Sequence, residues 1–379
     1  MTNLAKNAFK VALVSMFSLA NMQAITPKNF KATNLEDSEA YFDMGFMYYK
    51  GQGVDKDYKK AIEYYKKAAS MGNANAFYNL GLMYFHGEVS VHGGIDAQGV
   101  PQDYHKALEY FQRAASLGLS DAYNNLGVMY EQGKGVAQNY KEALEYYKKA
   151  ADMGYVQAYS NLGAMYYMGR GVAKDHAKAL EYYQKAASLG VATAYVNLGV
   201  AYEQGKGVAQ NYQKAREHYQ KAASMGVVEA YGYLGDVYHK GLGVPKDDKK
   251  AFEYYKKAAS TGSAIGLNDL GVAYEEGWGV AKDYSKAFEY YQKAASMGNA
   301  NAYVGLGDLY RKGRGVPKDY KKALEYYHKA ASMGNPPAHY NLAMMYKNAL
   351  GVRKDSKKAQ QHFKKACDLG YKKACARGK

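Results

Sequence analysis

Apolar and aromatic residues return along the chain at helical spacing, in short bursts closed by glycine. In Ala158-Tyr-Ser-Asn-Leu-Gly-Ala-Met-Tyr-Tyr-Met168 they fall at i, i+4, i+7 and i+8. Asp175-His-Ala-Lys-Ala-Leu-Glu-Tyr-Tyr-Gln-Lys-Ala-Ala-Ser188 repeats the pattern with more lysine and glutamate on the polar side. The spacing predicts two short amphipathic helices, helix A and helix B, joined by a Gly-rich turn.

The pair recurs down the chain. Its Leu-Gly dipeptide places glycine at 45, 81, 127, 163, 199, 235, 271 and 307, with Ala343 in the ninth slot; every interval is 36 residues except the 46 between Gly81 and Gly127. A fixed period of this length marks a solenoid, in which one unit cannot bury its apolar face alone and its neighbours complete the core. The expected fold class is therefore all-α, an α/α solenoid of nine helix-turn-helix repeats over residues 38–373. The units run 40–75, 76–121, 122–157, 158–193, 194–229, 230–265, 266–301, 302–337 and 338–373.

Capping residues fix the boundaries of helix B. Before it stand Asp57, Asp103, Asn139, Asp175, Asn211, Asp247, Asp283, Asp319 and Asp355, each able to accept hydrogen bonds from first-turn N–H groups. After it stand Gly72, Gly118, Gly154, Gly190, Gly226, Gly262, Gly298, Gly334 and Gly370, which suit a left-handed position that a Cβ would penalise. On the exposed face, Glu63/Lys67, Glu145/Lys149, Glu181/Lys185, Glu253/Lys257, Glu289/Lys293 and Glu325/Lys329 have the i,i+4 spacing of ion pairs. The Ala-Ala pair ending helix B (Ala68-Ala69, Ala150-Ala151) and the Leu-Gly glycine of helix A are expected to let another helix backbone approach closely. Tyrosines such as Tyr130, Tyr140 and Tyr146 fill the gaps with their hydroxyls near the wet edge.

Two stretches depart from the repeat. Residues 1–24 carry Lys6 and Lys10 ahead of the apolar run Val11-Ala-Leu-Val-Ser-Met-Phe-Ser-Leu-Ala20 and read as a signal peptide cleaved after Ala20 or Ala24, with 25–37 as a linker. The expected location is secreted or periplasmic, and no other stretch could span a bilayer. The second departure, Glu88-Val-Ser-Val-His-Gly-Gly-Ile-Asp-Ala97, lengthens one A-to-B loop and leaves both helices intact.

Composition changes this picture little. With 42 Tyr, 40 Gly and only 6 Pro, the material is helical and Gly-punctuated. Lys plus Arg exceeds Asp plus Glu by 51 − 35 = 16, but the excess recurs at the same helical positions in every unit, without a run of five basic residues. That pattern describes solvated helix faces, and no nucleic-acid partner is expected.

The unit A-Y-x-x-L-G-x-x-Y-x-x-G-x-G-V-x-x-D-Y-x-K-A-x-E-Y-Y-x-K-A-A-S-x-G resembles the Sel-1-like repeat, a relative of the tetratricopeptide repeat, nine times over about residues 38 to 373. The resemblance implies antiparallel helix pairs stacked in a right-handed superhelix whose helices A line the concave face, in an adaptor that holds a peptide or partner protein. The only cysteines, Cys367 and Cys375, are spaced C-x7-C, which resembles the disulfide-bearing repeats of the Helicobacter cysteine-rich proteins, often labelled β-lactamases or penicillin-binding proteins. Those relatives carry a cysteine pair in most units, whereas this chain has Ala69, Ala115 and Ala151 at the first position. In an exported chain two cysteines this close favour a disulfide closing the remnant 374–379, worth about 2–3 kcal/mol from chain entropy, over a reduced metal-binding pair.

Catalytic motifs are sparse. The chain contains no Ser-x-x-Lys, no G-x-S-x-G elbow and no H-E-x-x-H helix, so β-lactam binding with slow hydrolysis rests on the family resemblance alone. Gly133-Lys-Gly135, Gly169-Arg-Gly171, Gly205-Lys-Gly207 and Gly313-Arg-Gly315 lack the P-loop ending, follow a helix instead of a strand, and read as turns. His86 and His92, beside Glu88 and Asp96, are a weak metal set. No cofactor or metal is expected, and the chain is expected to be a monomer.

One polar position recurs inside helix A, directly before the Leu-Gly leucine: Asn79, Asn125, Asn161, Asn197 and Asn341, with Asp43, Tyr233, Asp269 and Gly305 in the remaining units. Asparagine is a mediocre helix former, so its return at one register asks for a reason. The tetratricopeptide resemblance implies a groove-facing ladder that hydrogen-bonds an extended peptide backbone, whether of a protein partner or a peptidoglycan-like peptide. A second reading has each amide bond the neighbouring helix and hold the units in register. The nearby positions Glu131, Tyr167, Glu203, His239, Glu275 and Arg311 vary between units and are read as setting partner choice.

Overall fold

The computed structural model describes residues 37–87 and 99–377. The leader at 1–24, most of the linker, and the insertion Glu88–Ala97 with its His92 and Asp96 lie outside the described residues, which form helices joined by short turns.

Two compact units divide the chain, one of residues up to 194 with 206–208, the other of 195–205 with 209–379. The first holds α1 (Ser38–Lys50), α2 (Tyr58–Ser70), α3 (Ala74–His86), α4 (Tyr104–Ser116), α5 (Ser120–Gln132), α6 (Tyr140–Asp152), α7 (Val156–Met168) and α8 (His176–Ser188). The boundary falls inside α9 (Ala192–Gln204). The second unit continues with α10 (Tyr212–Ser224), α11 (Glu229–Lys240), α12 (Asp248–Ser260), α13 (Ala264–Glu276) and α14 (Tyr284–Ser296). It ends with α15 (Ala300–Lys312), α16 (Tyr320–Ser332), α17 (Pro336–Lys347), α18 (Ser356–Asp368) and the short α19 (Lys372–Cys375). Odd helices up to α17 are helices A and even ones helices B. Within each compact unit helix A packs on its own helix B, from α1 on α2 to α7 on α8 and from α11 on α12 to α17 on α18, and helix B packs on the following helix A, as α2 does on α3 and α12 on α13. Helices A of successive repeats also meet, as α11 does α13 and α13 does α15. This nearest-neighbour packing is that of an α/α solenoid.

The local signals act as the sequence implies. All nine expected Asp or Asn residues cap helix B, their side chains accepting from first-turn N–H groups. The nine closing glycines hold φ between 76° and 90°, the left-handed region. The second glycine of the G-x-G turns serves packing as well: a Cβ on Gly135 would run into the Tyr104 carbonyl at the start of the preceding helix B.

Two expectations need correction. The Leu-Gly glycine admits an aromatic ring, not a backbone. A Cβ on Gly127 would lie 2.6 Å from Tyr147 Cε1, and the same helix-B ring position (Tyr65, Tyr183, Tyr219, Tyr255, Tyr291, Tyr327, with Phe111 in repeat 2) is filled by side chains with no more than 4% exposure. These rings form the core, whereas Tyr130, Tyr140 and Tyr146 are partly exposed, as expected of rings at the wet edge. The i,i+4 pairs are also largely unmade. Of the six expected pairs only Glu289–Lys293 closes, at 2.6 Å, while Glu145 and Glu253 pair with Lys148 and Lys256 one position earlier. Lys67, Lys149, Lys257 and Lys329 instead lie over tyrosine rings, Lys67 at 5.2 Å from Tyr64 and Lys257 at 5.5 Å from Tyr254. A half-buried electron-rich face attracts the ammonium without requiring it to give up all its water.

At the C-terminal end, Cys367 and Cys375 are disulfide-bonded with Cα atoms 4.8 Å apart, tying α19 to α18 over a small cluster of Ala343, Phe363, Ala366 and Ala374. Among the described residues no helix is long and apolar enough to cross a membrane.

Candidate functional site

Helix A carries the recurring asparagine on the side that meets the preceding repeat. In the first unit Asn79 (α3) is buried beside the Tyr65 hydroxyl. Asn125 (α5) is buried at 4% exposure, and its Nδ2 donates to the Tyr78 hydroxyl at 3.2 Å. Asn161 (α7) is half-buried, and its Nδ2 donates to Asn124 Oδ1 at 2.7 Å. The three amides thus occupy equivalent places on successive helices, and two of them bond the previous repeat. In the second unit Asn197 (α9) and Asn341 (α17) are half-buried, with three repeats between them in which Tyr233, Asp269 and Gly305 fill the slot.

Those three replacements form a different surface. Tyr233 stacks on the core ring Tyr219 at 4.8 Å, and a Cβ on Gly305 would lie 2.7 Å from the Tyr291 ring. The Asp269 carboxyl is pushed up to about 7, by loss of solvent and then by the Asp236 carboxylate, against a weaker opposing bond from Asn268. A carboxyl whose folded value is raised favours folding more as pH falls through that value. Repeat 7 is therefore expected to gain stability between about pH 7 and pH 4. Hydrogen exchange in α13 checks this: protection should rise over that interval in the wild type and stay level in Asp269→Asn.

In the first unit, a shallow dip too small to enclose a water molecule lies between α3 and α5, lined by Leu82, Phe85, His86, Asn125 and Val128. Asn125 Oδ1 is buried there with no hydrogen-bond partner, its Nδ2 being committed to Tyr78. Buried polar atoms are normally satisfied, so an orphan acceptor at a surface depression is an unfilled requirement for a donor.

The variable positions read as partner-setting are largely taken up by the scaffold. Glu131 accepts from the Tyr147 hydroxyl at 2.8 Å and from Arg170 Nη1 at 2.8 Å. Glu203 accepts from Tyr219 at 2.8 Å, and Glu275 from Tyr291 at 3.0 Å, with Lys312 3.3 Å and Arg314 3.6 Å away. In repeats 6 and 8 the carboxylate comes one turn earlier, from Asp236 to Tyr255 and from Asp308 to Tyr327; Arg311 bonds both Asp308 and that hydroxyl. His239 pairs with Asp248 at 2.7 Å and stacks on Trp278 at 3.8 Å, while Tyr167 lies beneath Lys206 at 4.9 Å. Burial, reinforced by the carboxylate, raises the phenols of Tyr147, Tyr219, Tyr255, Tyr291 and Tyr327, so they stay protonated donors. A partial signal for this was present: the two repeats with phenylalanine in the core slot, Phe111 and Phe363, have no acid at either position, Leu82/Phe85 in one and Met344/Lys347 in the other, as do the tyrosine repeats of Tyr65 and Tyr183.

The chain belongs to the Sel1 repeat family, whose model matches residues 38–73, 74–119, 120–155, 156–191, 192–227, 228–263, 264–299, 300–335 and 336–371. Proteins built from this repeat generally mediate protein–protein interaction. Among solved structures it is similar to a protective antigen present in uropathogenic Escherichia coli strains and displaying an SLR fold, at 34% identity over 90% of this chain and 71% of that one, TM-score 0.50. It is similar to a Sel1 repeat protein from Oxalobacter formigenes at 30% identity over 82% of this chain and 89% of that one, TM-score 0.55. Helicobacter pylori cysteine rich protein B is 34% identical over 35% of this chain and 95% of that one, with TM-score 0.29. No curated protein matches the chain.

Proposed function

We propose that this protein is an exported binding scaffold that holds an extended peptide segment of a partner protein against the helix A surface of its first unit, contributing shape and hydrogen bonds and no bond-making chemistry. The observation that carries the reading is the orphan Asn125 Oδ1. Its amide is oriented by the Tyr78 hydroxyl, so the oxygen is left to accept, and the backbone N–H of an extended peptide is the kind of donor it lacks. The apolar flanks Leu82, Phe85 and Val128 suit a side chain of the same peptide. Asn79 and Asn161 continue the series on the adjoining helices, and the leader at 1–24 supports the exported location.

The test separates ligand ladder from register device. Mature protein is used as bait in extracts of its own cell envelope, with wild type, Asn125→Ala and Tyr78→Phe compared at matched helical content. The ligand reading expects Asn125→Ala to lose a partner by at least about tenfold, the worth of roughly one hydrogen bond left unmade, and Tyr78→Phe to keep most of it. Equal recovery of all partners by Asn125→Ala rejects the ladder and leaves the asparagines as ties between repeats.

A further inference from the structure

Outside its core ring each repeat but the seventh carries a second set of rings, two from helix A and one from helix B; in the seventh Leu267 replaces one of them. In the first repeat these are Tyr41, Tyr48 and Tyr64, with Tyr48 and Tyr64 stacked at 5.5 Å; in the eighth they are Tyr303, Tyr310 and Tyr326, with the last two stacked at 5.7 Å. Lysines lie over them, as Lys60 does over Tyr48 and Lys322 over Tyr310. In the ninth repeat the set reads His339, Tyr346 and His362. A third imidazole, His328 of α16, faces the same spot, its ring centroid 6.2 Å from that of His362.

The contact at the centre of this cluster tolerates a limited charge. His339 Nδ1 and His362 Nδ1 are 3.0 Å apart, so one must donate and the other accept. A single proton lies between them. Once both rings are imidazolium, each nitrogen carries a hydrogen, the acceptor is lost, and two cations are pressed together. The groups facing the cluster offer little compensation. From α18 come Lys358, acting on His328 and His362, and Lys365, acting on His339; from α16 comes His328; from α17 comes the neutral Tyr346, stacked on His362 at 5.8 Å beneath Lys358.

We propose that the His339–His362 contact is an acid-sensitive latch on the last repeat: full protonation of the imidazoles breaks the packing of α18 on α17 and frees the C-terminal end, while the disulfide keeps α19 attached to α18. Burial, and secondarily the cationic neighbours, hold all three imidazoles below the ordinary histidine range, His362 down to about 4. For a base depressed by folding, the stabilisation is complete above the unfolded value near 6.5 and is lost as pH falls from there toward about 4. This direction is opposite to that of Asp269, so one acidification loosens repeat 9 and tightens repeat 7.

The experiment is hydrogen exchange of the full mature chain at pH 7.5 and pH 5.0, with rates corrected for intrinsic pH dependence. Protection in α17 and α18 should fall at least about tenfold on acidification in the wild type, while α15 and α16 change less than threefold. In His339→Tyr/His362→Tyr, which restores the rings of the other repeats, the fall should vanish. A wild type with no selective loss in α17 and α18, or a double variant that loses protection as the wild type does, overturns the latch. Should the double variant lack protection in α17–α19 already at pH 7.5, His339→Gln replaces it. Its amide remains within reach of His362 and cannot become cationic, and the same two outcomes decide.

Discussion

Tyr147→Ala is expected to destabilise its repeat by about 3–5 kcal/mol, the largest effect of any single change considered, because it empties the core slot beneath Gly127 and strips a donor from Glu131. The ring is 1% exposed, and its partner glycine leaves no space for a neighbour to move in. The companion change is more informative. Gly127→Ala alone places a Cβ 2.6 Å from the ring and is expected to cost about 1–3 kcal/mol by overpacking. In the Tyr147→Ala background that penalty should disappear, since the atom it collides with is gone. Urea unfolding of the four chains in a double-mutant cycle measures the coupling. Additive costs would show that Gly127 serves the helix backbone and not the ring.

The second large effect is expected at Glu275, whose carboxylate is the most enclosed of the scaffold acids at 6% exposure. It accepts from the Tyr291 hydroxyl and faces Lys312 and Arg314 of the next repeat, so Glu275→Ala orphans a buried phenol and leaves two cations side by side. The phenol accounts for most of the cost, about 1–3 kcal/mol, because both cations are partly solvated and Lys312 keeps Asp308 nearby at 3.9 Å. Adding Tyr291→Phe should recover at least half of the loss, since removing both partners of a buried hydrogen bond is far less costly than removing one. If instead the double variant is less stable than Glu275→Ala, the carboxylate acts chiefly on the cations, and the repeat-to-repeat ion cluster becomes the main contributor. Thermal melts of the three chains distinguish these results.

Most of the fold could be read before any coordinates. The 36-residue period, the Asp or Asn ahead of each helix B and the glycine behind it are local features, and local features specify short helices well. What escaped the reading depends on side chains meeting across the hairpin. Glu131 and Tyr147 are 16 residues apart and touch only once the two helices pack, so Glu131 looked like a free charge on a binding face. Comparing repeats points to the pairing only in one direction: an acid at either position always accompanies a tyrosine in the core slot, although the Tyr65 and Tyr183 repeats have the hydroxyl without the acid. The Glu–Lys spacing misled for a different reason: the same helix also sets a tyrosine three residues before each lysine, and Tyr64 and Tyr254 take Lys67 and Lys257 in place of the glutamate. At Asn125 the sequence left two roles open, and the coordinates show why both are chemically available. One amide carries a donor and an acceptor, and here the donor is engaged while the acceptor is not.

Packing confined to nearest neighbours carries an evolutionary consequence. A helix B offers the same alanines and tyrosine edge to whatever helix A follows it, so excision or duplication of one 36-residue block rejoins surfaces that already match. Recombination between near-identical coding segments can thus lengthen or shorten the lineage's products in whole repeats, and the size of the protein is free to drift while its interior stays the same.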